Sequence, residues 1–276
     1  MTQDAHEPVG VGILGATGRM GRLIADAVQA APKMRLAGLG VSDGHDHEGS
    51  DAETALGLAG CSLTLSADVP GIVQASDVVI DFTHPNALAR HLQAAVDHRT
   101  PLVIGTTGAD KSQEMAVERA AEHIPIILAA NTSLGVNLLL DTVARVAGAL
   151  PADQADIDIV EMHHGGKVDA PSGTALALGR AAAQGRDVML SDVQRLSREG
   201  QTGVRPVGEI GFATLRGGDV VGEHTVVFAM AGERIEITHR CTNRAVFARG
   251  AVRAAQWLMG QDPGLHTMAD VLGLTD

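Results

Sequence analysis

"VGVGILGATGRMGRLIADAVQAAP", residues 9–32, is the stretch that decides the fold. Its first six residues, VGVGIL, are a short apolar run of the kind that makes a buried strand. Gly15, Gly18 and Gly21 then recur at three-residue spacing. A helical pattern covers Arg22–Ala31, and Pro32 ends it because proline cannot continue the hydrogen-bond ladder. Strand, glycine turn and helix, in that order, predict a dinucleotide-binding unit. The glycines permit a tight turn, close approach of backbone to a diphosphate, and close packing of helix on strand. The helix N-terminus supplies N–H groups and positive dipole to the anion. The spacing is not the strict G-x-G-x-x-G, because Thr17 stands in place of the middle glycine. A glycine-rich turn without a ligand is the alternative. The strand before and the helix after favour the nucleotide.

Working outward, "RLAGLGV" (35–41), "SDVVIDF" (76–82), "PLVIGTTG" (101–108) and "IPIILAAN" (124–131) read as further strands. Helices expected over 86–98 and 110–123 separate the later ones. Short apolar strands alternating with helices predict an α/β fold, a Rossmann-like doubly wound parallel sheet. The pattern changes after Asn131. A helix is expected over 133–150, a half-buried strand over 156–164, and a helix over 172–185. "EHTVVFAMAGERIEITHRC" (223–241) reads as two antiparallel strands joined at Gly232-Glu233. A closing helix is expected over 245–259. These segments predict a second, α+β domain with a mixed or antiparallel sheet. The expected division is 1–132 with 243–276 for the nucleotide, and 133–242 for the substrate and for oligomer contacts.

Composition narrows the function. The chain has 276 residues and a formal charge of −12, with one Trp, four Phe and no Tyr. An acidic chain poor in aromatic rings is a poor partner for nucleic acid. Cys61 and Cys241 give neither a disulfide framework nor zinc spacing. No apolar run is long enough for a membrane helix. "MTQDAHEPV" at the start lacks the features of a secretory leader, so a cytoplasmic protein is expected.

Three loops carry candidate chemistry. "GTTG" (105–108) and "AANTS" (129–133) follow predicted strands, at the sheet edge where ligands of open α/β sheets bind. Ordinary turn chemistry accounts for them equally well. The third is "EMHHGGKVDAPSGTA" (161–175). Here His163 and His164, adjacent on a strand, are expected to point to opposite faces. Lys167 follows in the loop, and Asp169 to Thr174 read as a helix start whose N–H groups suit a carboxylate. No His, Asp or Glu stands at zinc-like spacing, so no metal is expected. Two imidazoles, a cation and an anion seat within one loop suggest a pocket for a small anionic substrate.

"HHGGKVDAPSGTA" closely resembles the signature of the dihydrodipicolinate reductase family. The likeness extends over nearly the whole chain, through "GATGRMGR", "DFTHP", "GTTG", "AANTSLGVN", "GFATLRGGDVVGEHTV", "EITHR" and "FARGAVRAA". It implies an NAD(P)H-dependent reductase of diaminopimelate and lysine biosynthesis, a homotetramer acting on a small dicarboxylate. The family's proton donor falls on His163, its substrate-contacting histidine on His164, and its catalytic or substrate-binding lysine on Lys167. The carboxylate seat falls on Gly173 and Thr174, with Ser172 and Thr107 nearby. Cofactor contacts fall on Gly15, Ala16, Thr17, Gly18, Arg19 and Met20, on Gly105, Thr106 and Thr107, and on Ala129, Ala130, Asn131 and Thr132. Two positions depart from the pattern. Where well-known members end the second strand in Glu-Arg, this chain has Val41-Ser42 and then Asp43. Asp43 suits ribose hydroxyls or repels a 2′-phosphate, while Arg19 at the start of the first helix and one hydrogen bond from Ser42 favour the phosphate, so NADH and NADPH are both expected to serve, with a lean to NADH. Thr132 replaces an aromatic residue found in some members. A different dehydrogenase with a similar first domain, working through a cysteine, is the competing reading, as is a nucleotide-sensing protein without chemistry.

Overall fold

The protein is described by a computed structural model covering residues 7–275. The N-terminal segment read above for a leader lies, up to His6, outside the described residues. The chain forms two compact units. One runs to Ser133 and resumes at Ala245; the other is Leu134–Arg244.

The first unit contains β1 (Val9–Leu14), α1 (Arg19–Gln29), β2 (Met34–Gly40), α2 (Ala52–Leu56), β3 (Leu65–Ser66), α3 (Val69–Gln74) and β4 (Val78–Asp81). It continues with α4 (Leu88–His98), β5 (Leu102–Ile104), α5 (Lys111–Ala121) and β6 (Pro125–Leu128). Numbering in chain order, the returning segment adds α9 (Ala245–Leu258), β12 (Gly264–His266) and α10 (Met268–Leu272). The seven strands lie in the order β12-β6-β5-β4-β1-β2-β3, and the pairs are parallel. Helices cover both faces, with α1 packed on α9 and α4 packed between α3 and α5. That cover explains the apolar strands: Val11, Ile13, Val79, Ile80, Val103 and Ile104 are fully buried. The order reverses between β1 and β4, the switch point at which such sheets bind ligands.

The expected strands are shorter than read. β4, β5 and β6 stop at Asp81, Ile104 and Leu128, so Phe82, the GTTG residues and the AANTS residues are loops at the carboxyl edge of the sheet. α1 begins earlier than expected, at Arg19, with Gly18 as its N-cap. Gly15 has φ +84°, and a Cβ on Gly21 would strike the Gly15 carbonyl oxygen, so the turn and the packing both require glycine. The short elements α2, β3, α3, β12 and α10 span two to six residues, too few for a readable period.

The second unit contains α6 (Leu134–Ala149), β7 (Asp156–His163), α7 (Gly173–Gly185), α8 (Leu190–Val193), β8 (Gln194–Arg195), β9 (Ile210–Arg216), β10 (Gly222–Met230) and β11 (Glu233–Cys241). Its sheet has the order β11-β10-β7-β9-β8 and is mixed. β7 runs antiparallel to β10 and parallel to β9. The β10–β11 hairpin turns at Ala231-Gly232, one residue before the expected join, with Gly232 at φ +84°. α6 and α7 pack together over a core that includes Ile157, Ile159, Ile210, Val226 and Phe228. Period-two alternation puts Ile157, Ile159, Glu161 and His163 on the buried side of β7. Two polar residues thus continue an apolar stripe.

Candidate active site

Glu161 is 1% exposed and must therefore be fully hydrogen-bonded to be tolerated. Strand pairing supplies the partners. Across the sheet Glu161 faces His224 on β10 and Thr214 on β9, and His163 faces Arg216. Glu161 Oε2 lies 2.6 Å from His163 Nδ1. Arg216 donates to Oε2 and Oε1, Ser172 N–H donates to Oε1 at 3.0 Å, and Thr214 Oγ1 donates at 3.3 Å. Burial alone raises the Glu161 pKa and is the largest single influence. Arg216, His163 and the Ser172 N–H together outweigh it and hold the group below its ordinary value.

His163 is 8% exposed. Burial lowers its pKa most; Glu161 opposes that, while Lys167 and Arg216 add to it, and the net direction is downward from 6.5. A Cβ on Gly222 would lie 3.0 Å from His163 Nε2, so glycine there keeps that edge of the ring uncrowded. His224 meets the His163 ring edge-on, with centroids 5.2 Å apart. Its Nε2 is 2.9 Å from Ser172 Oγ, and burial pushes its pKa down to about 4.

The loop after β7 carries the remaining candidates. His164 lies past the strand end and is only partly buried, with Nε2 3.4 Å from an Arg244 nitrogen. Lys167 Nζ pairs with Asp169 Oδ1 at 2.8 Å, which holds Asp169 below its ordinary pKa. Ser172 caps α7 by accepting from Ala175 N–H at 3.1 Å. Its hydroxyl is thereby committed to the helix and to His224, and the residue is 1% exposed. Direct substrate contact by the Ser172 side chain is therefore not what this geometry offers; its hydroxyl fixes the start of α7 instead. Gly173 is exposed, and a Cβ added there would meet nothing within 4 Å, while Thr174 is half-buried beside it; the first turn of α7 holds no acidic residue.

Glu161, Arg216 and His224 were not singled out from the sequence. The i, i+2 relation of Glu161 to His163 on a strand was available as a signal. The other two arrive only through strand register. Glu161, His163 and His224 each offer an atom within 4.8 Å of the others, a cluster that linear spacing does not reveal. A guanidinium on the same carboxylate opposes a dication, and the carboxylate already accepts from five donors. The donor set fits a hydrogen-bonded acid pair rather than a metal centre.

In the first unit, Gly15, Ala16, Thr17 and Gly18 form the turn between β1 and α1. Gly18 makes no side-chain cap, and the first turn of α1, with Arg19 and Met20, contains no acidic residue. That arrangement suits an anion. Thr17 Oγ1 lies 3.2 Å from His45 Nε2. Thr106 is buried, and its hydroxyl and Thr83 are both tied to the buried Asp81, itself paired with His91 at 2.7 Å. Gly105 is buried and Thr107 exposed. Ala129 is buried and Ala130 exposed; Asn131 Oδ1 accepts from Ser133 N–H at 2.9 Å. Thr132 is 2% exposed and donates to the Phe247 carbonyl at 2.7 Å, so it anchors α9 and leaves only backbone for a ligand. Ser42 is exposed after β2. Cys241 is buried and donates to the Asn243 carbonyl, which does not suit a nucleophile.

A doubly wound α/β unit with a glycine turn at its switch point, in one chain with a unit that buries a carboxylate–imidazole pair, defines the class, a two-unit oxidoreductase. The profile described as "Dihydrodipicolinate reductase, N-terminus" matches residues 9–132, and "Dihydrodipicolinate reductase, C-terminus" matches 135–272. The chain belongs to the dihydrodipicolinate reductase family and is an oxidoreductase of amino-acid biosynthesis. It is 48% identical to 4-hydroxy-tetrahydrodipicolinate reductase of Dinoroseobacter shibae over 96% of this chain and 98% of that one. A dipicolinate-bound dihydrodipicolinate reductase of Paenisporosarcina sp. TG-14 has a similar fold, with TM-score 0.75 and 23% identity over 95% and 98% of the two chains. Aspartate semialdehyde dehydrogenase II of Vibrio cholerae shares the fold at TM-score 0.55 with 11% identity over 91% and 98%. Among the described residues no helix is long and apolar enough to cross a membrane.

Proposed function

We propose that this chain reduces 4-hydroxy-tetrahydrodipicolinate, by way of dihydrodipicolinate, to tetrahydrodipicolinate. The carrying observation is within one unit: an ionised Glu161 joins the His163 ring and the Ser172 start of α7. Proton donor and carboxylate seat are thereby held in one frame. Lys167, together with the N–H groups at Gly173 and Thr174, holds the two carboxylates of the substrate, and His164 lines it. A bound NADH or NADPH supplies hydride to C4 of the ring. Addition there leaves an electron-rich enamine, and His163 delivers a proton to C3 from Nε2. The nucleotide is held by the turn from Gly15 to Gly18 with Arg19 and Met20, by Ser42, by Gly105 to Thr107, and by Ala129 to Thr132. Both nucleotides serve, with a lean to NADH.

Assembly as a homotetramer through the second sheet belongs to the same reading. What supports it is the sheet face away from α6 and α7, where Leu215 is 46% exposed and Val160, Met162 and Val227 are only half-buried. The test is loss of reduced-nicotinamide absorbance with substrate made in situ from pyruvate and aspartate semialdehyde. No oxidation above the rate without aspartate semialdehyde would refute the reaction.

A further inference from the structure

Resting on that reading for the part played by His163, we infer that Glu161 is its positioning residue. The carboxylate fixes the neutral ring as the Nδ1–H tautomer, leaves Nε2 to exchange the proton, and ties the ring to the start of α7. Four observations carry the assignment. Glu161 is 1% exposed and bound by Arg216 through both oxygens, so its position is set by the fold and not by the histidine. An ionised carboxylate only accepts hydrogen bonds, so at 2.6 Å the proton between Oε2 and Nδ1 belongs to the ring. Oε1 accepts from Ser172 N–H at the head of the helix that seats the substrate. Gly222 puts no side chain of its own against Nε2, which a Cβ there would approach to 3.0 Å.

The charges around the ring make this contact necessary. Lys167 with its partner Asp169 follows in the loop, Arg216 comes from β9, and the neutral His224 comes from β10 with His239 beyond it on β11. Two of these are cations and oppose an imidazolium. Glu161 is the anion in direct contact that offsets them. Without it the ring would hold its second proton poorly and would be free to turn.

Ring nitrogen NMR of the intact protein tests this first. Above neutral pH, His163, assigned by comparison with His163→Gln, should show a protonated Nδ1 and a bare Nε2. The opposite tautomer overturns the inference without any variant. In Glu161→Gln the amide oxygen remains with Arg216 and Ser172 while its NH2 faces Nδ1. The tautomer should then invert, and kcat should fall roughly 10²–10⁴-fold, as when a histidine loses its orienting carboxylate. The descending limb of the pH profile should move down by about 1–3 units, because the anion that favoured the charged ring is gone. Pyridine-2,6-dicarboxylate should bind no more weakly, since a negative charge has been removed and the seat retained. Glu161→Asp should recover part of the limb. An unmoved limb in Glu161→Gln with near-native kcat overturns the inference. If the tautomer inverts but the intact protein turns over no substrate, the positioning stands and the reaction proposed above is what fails.

Discussion

Arg216 holds Glu161 with two parallel contacts, Nη1 to Oε2 and Nη2 to Oε1, each 2.9 Å. The carboxylate is 1% exposed and the arginine side chain 19%. Removing one member of such a pair leaves a buried charge without its partner, which costs about 3–5 kcal/mol. Arg216→Ala should lose stability of that order in urea unfolding at neutral pH. Arg216→Lys keeps the charge but cannot bridge both oxygens, so it should lose less. Equal, small losses in both variants would mean the pair is not a structural anchor.

His163→Ala should lower kcat by roughly 10²–10⁴-fold, the usual worth of general acid catalysis, with the fold intact. The pH dependence follows from the lowered pKa. A proton donor must be protonated, and burial moves its titration below the ordinary 6.5. For the free enzyme kcat/KM should therefore fall as pH rises through a value under 6.5, provided nucleotide is saturating. A flat profile across that range would remove His163 as the donor.

Lys167 is expected to hold a substrate carboxylate, yet it is paired with Asp169 at 2.8 Å. Lys167→Ala should weaken pyridine-2,6-dicarboxylate by about 1.5–3 kcal/mol, the worth of a charge-assisted contact. Asp169→Asn should tighten it, because the lysine no longer has an anion to leave; Asp169 is 54% exposed, so the gain should be under about 1 kcal/mol. Competitive inhibition constants decide both. An unchanged constant in Lys167→Ala would put the carboxylates elsewhere.

The parallel sheet was legible because each of its core strands pairs an apolar run with glycine or proline punctuation. The strand ends were not, since apolar continuity does not mark where pairing stops: Phe82, Gly105 and Ala129 extend the pattern into the carboxyl-edge loops. In the second unit, β9 was missed as a strand because "GFATLR" has no clear alternation, and its parallel pairing with β7 is a long-range event. The same gap hid Arg216. His163, His164 and Lys167 fall within five residues of sequence and are legible there, whereas Glu161, Arg216 and His224 gather through the register of three strands. Only Glu161 left a local trace, two residues before His163 on the same face.

His224 predicts an acid sensitivity. It is 4% exposed, and burial lowers its pKa from 6.5 to about 4. The folded state therefore refuses a proton that the unfolded chain accepts. The stability from this residue is complete above pH 6.5 and is lost as pH falls toward 4, in total about 3 kcal/mol. Urea unfolding at several pH values should show this slope, and His224→Gln should flatten it by up to one proton. An unchanged slope in that variant would assign the sensitivity to other groups.

The nucleotide preference turns on the loop after β2. Val41 and Ser42 bring no positive charge there, but α4 does: Arg90 Nη1 lies 3.0 Å from Asp43 Oδ2, and Nη2 donates to the Ala67 carbonyl at 3.0 Å. The arginine is 49% exposed and the aspartate 76%, so the pair is a weak one that opens at small cost. Once the pair opens, Asp43 is expected to accept from the hydroxyls of an adenosine ribose, as an acid after the second strand does in NAD-binding sheets, and Arg90 is expected to pair with a 2′-phosphate. Each contact serves one nucleotide and is lost with the other. NADH and NADPH should both support turnover, with kcat/KM within roughly 30-fold and a lean to NADH, because the second strand ends in Val41-Ser42 without an arginine of its own. Arg90→Ala should weaken NADPH about 10–100-fold, the worth of one charge-assisted contact, and leave NADH within about threefold. Titration calorimetry with each nucleotide, at one pH and ionic strength and without substrate, reads both affinities directly. A hundredfold preference of the native chain for NADPH would sink the dual-use prediction. Equal weakening of both nucleotides in Arg90→Ala would mean that Arg90 only steadies the loop, and that the choice is made at Arg19 or His45 beside the glycine turn.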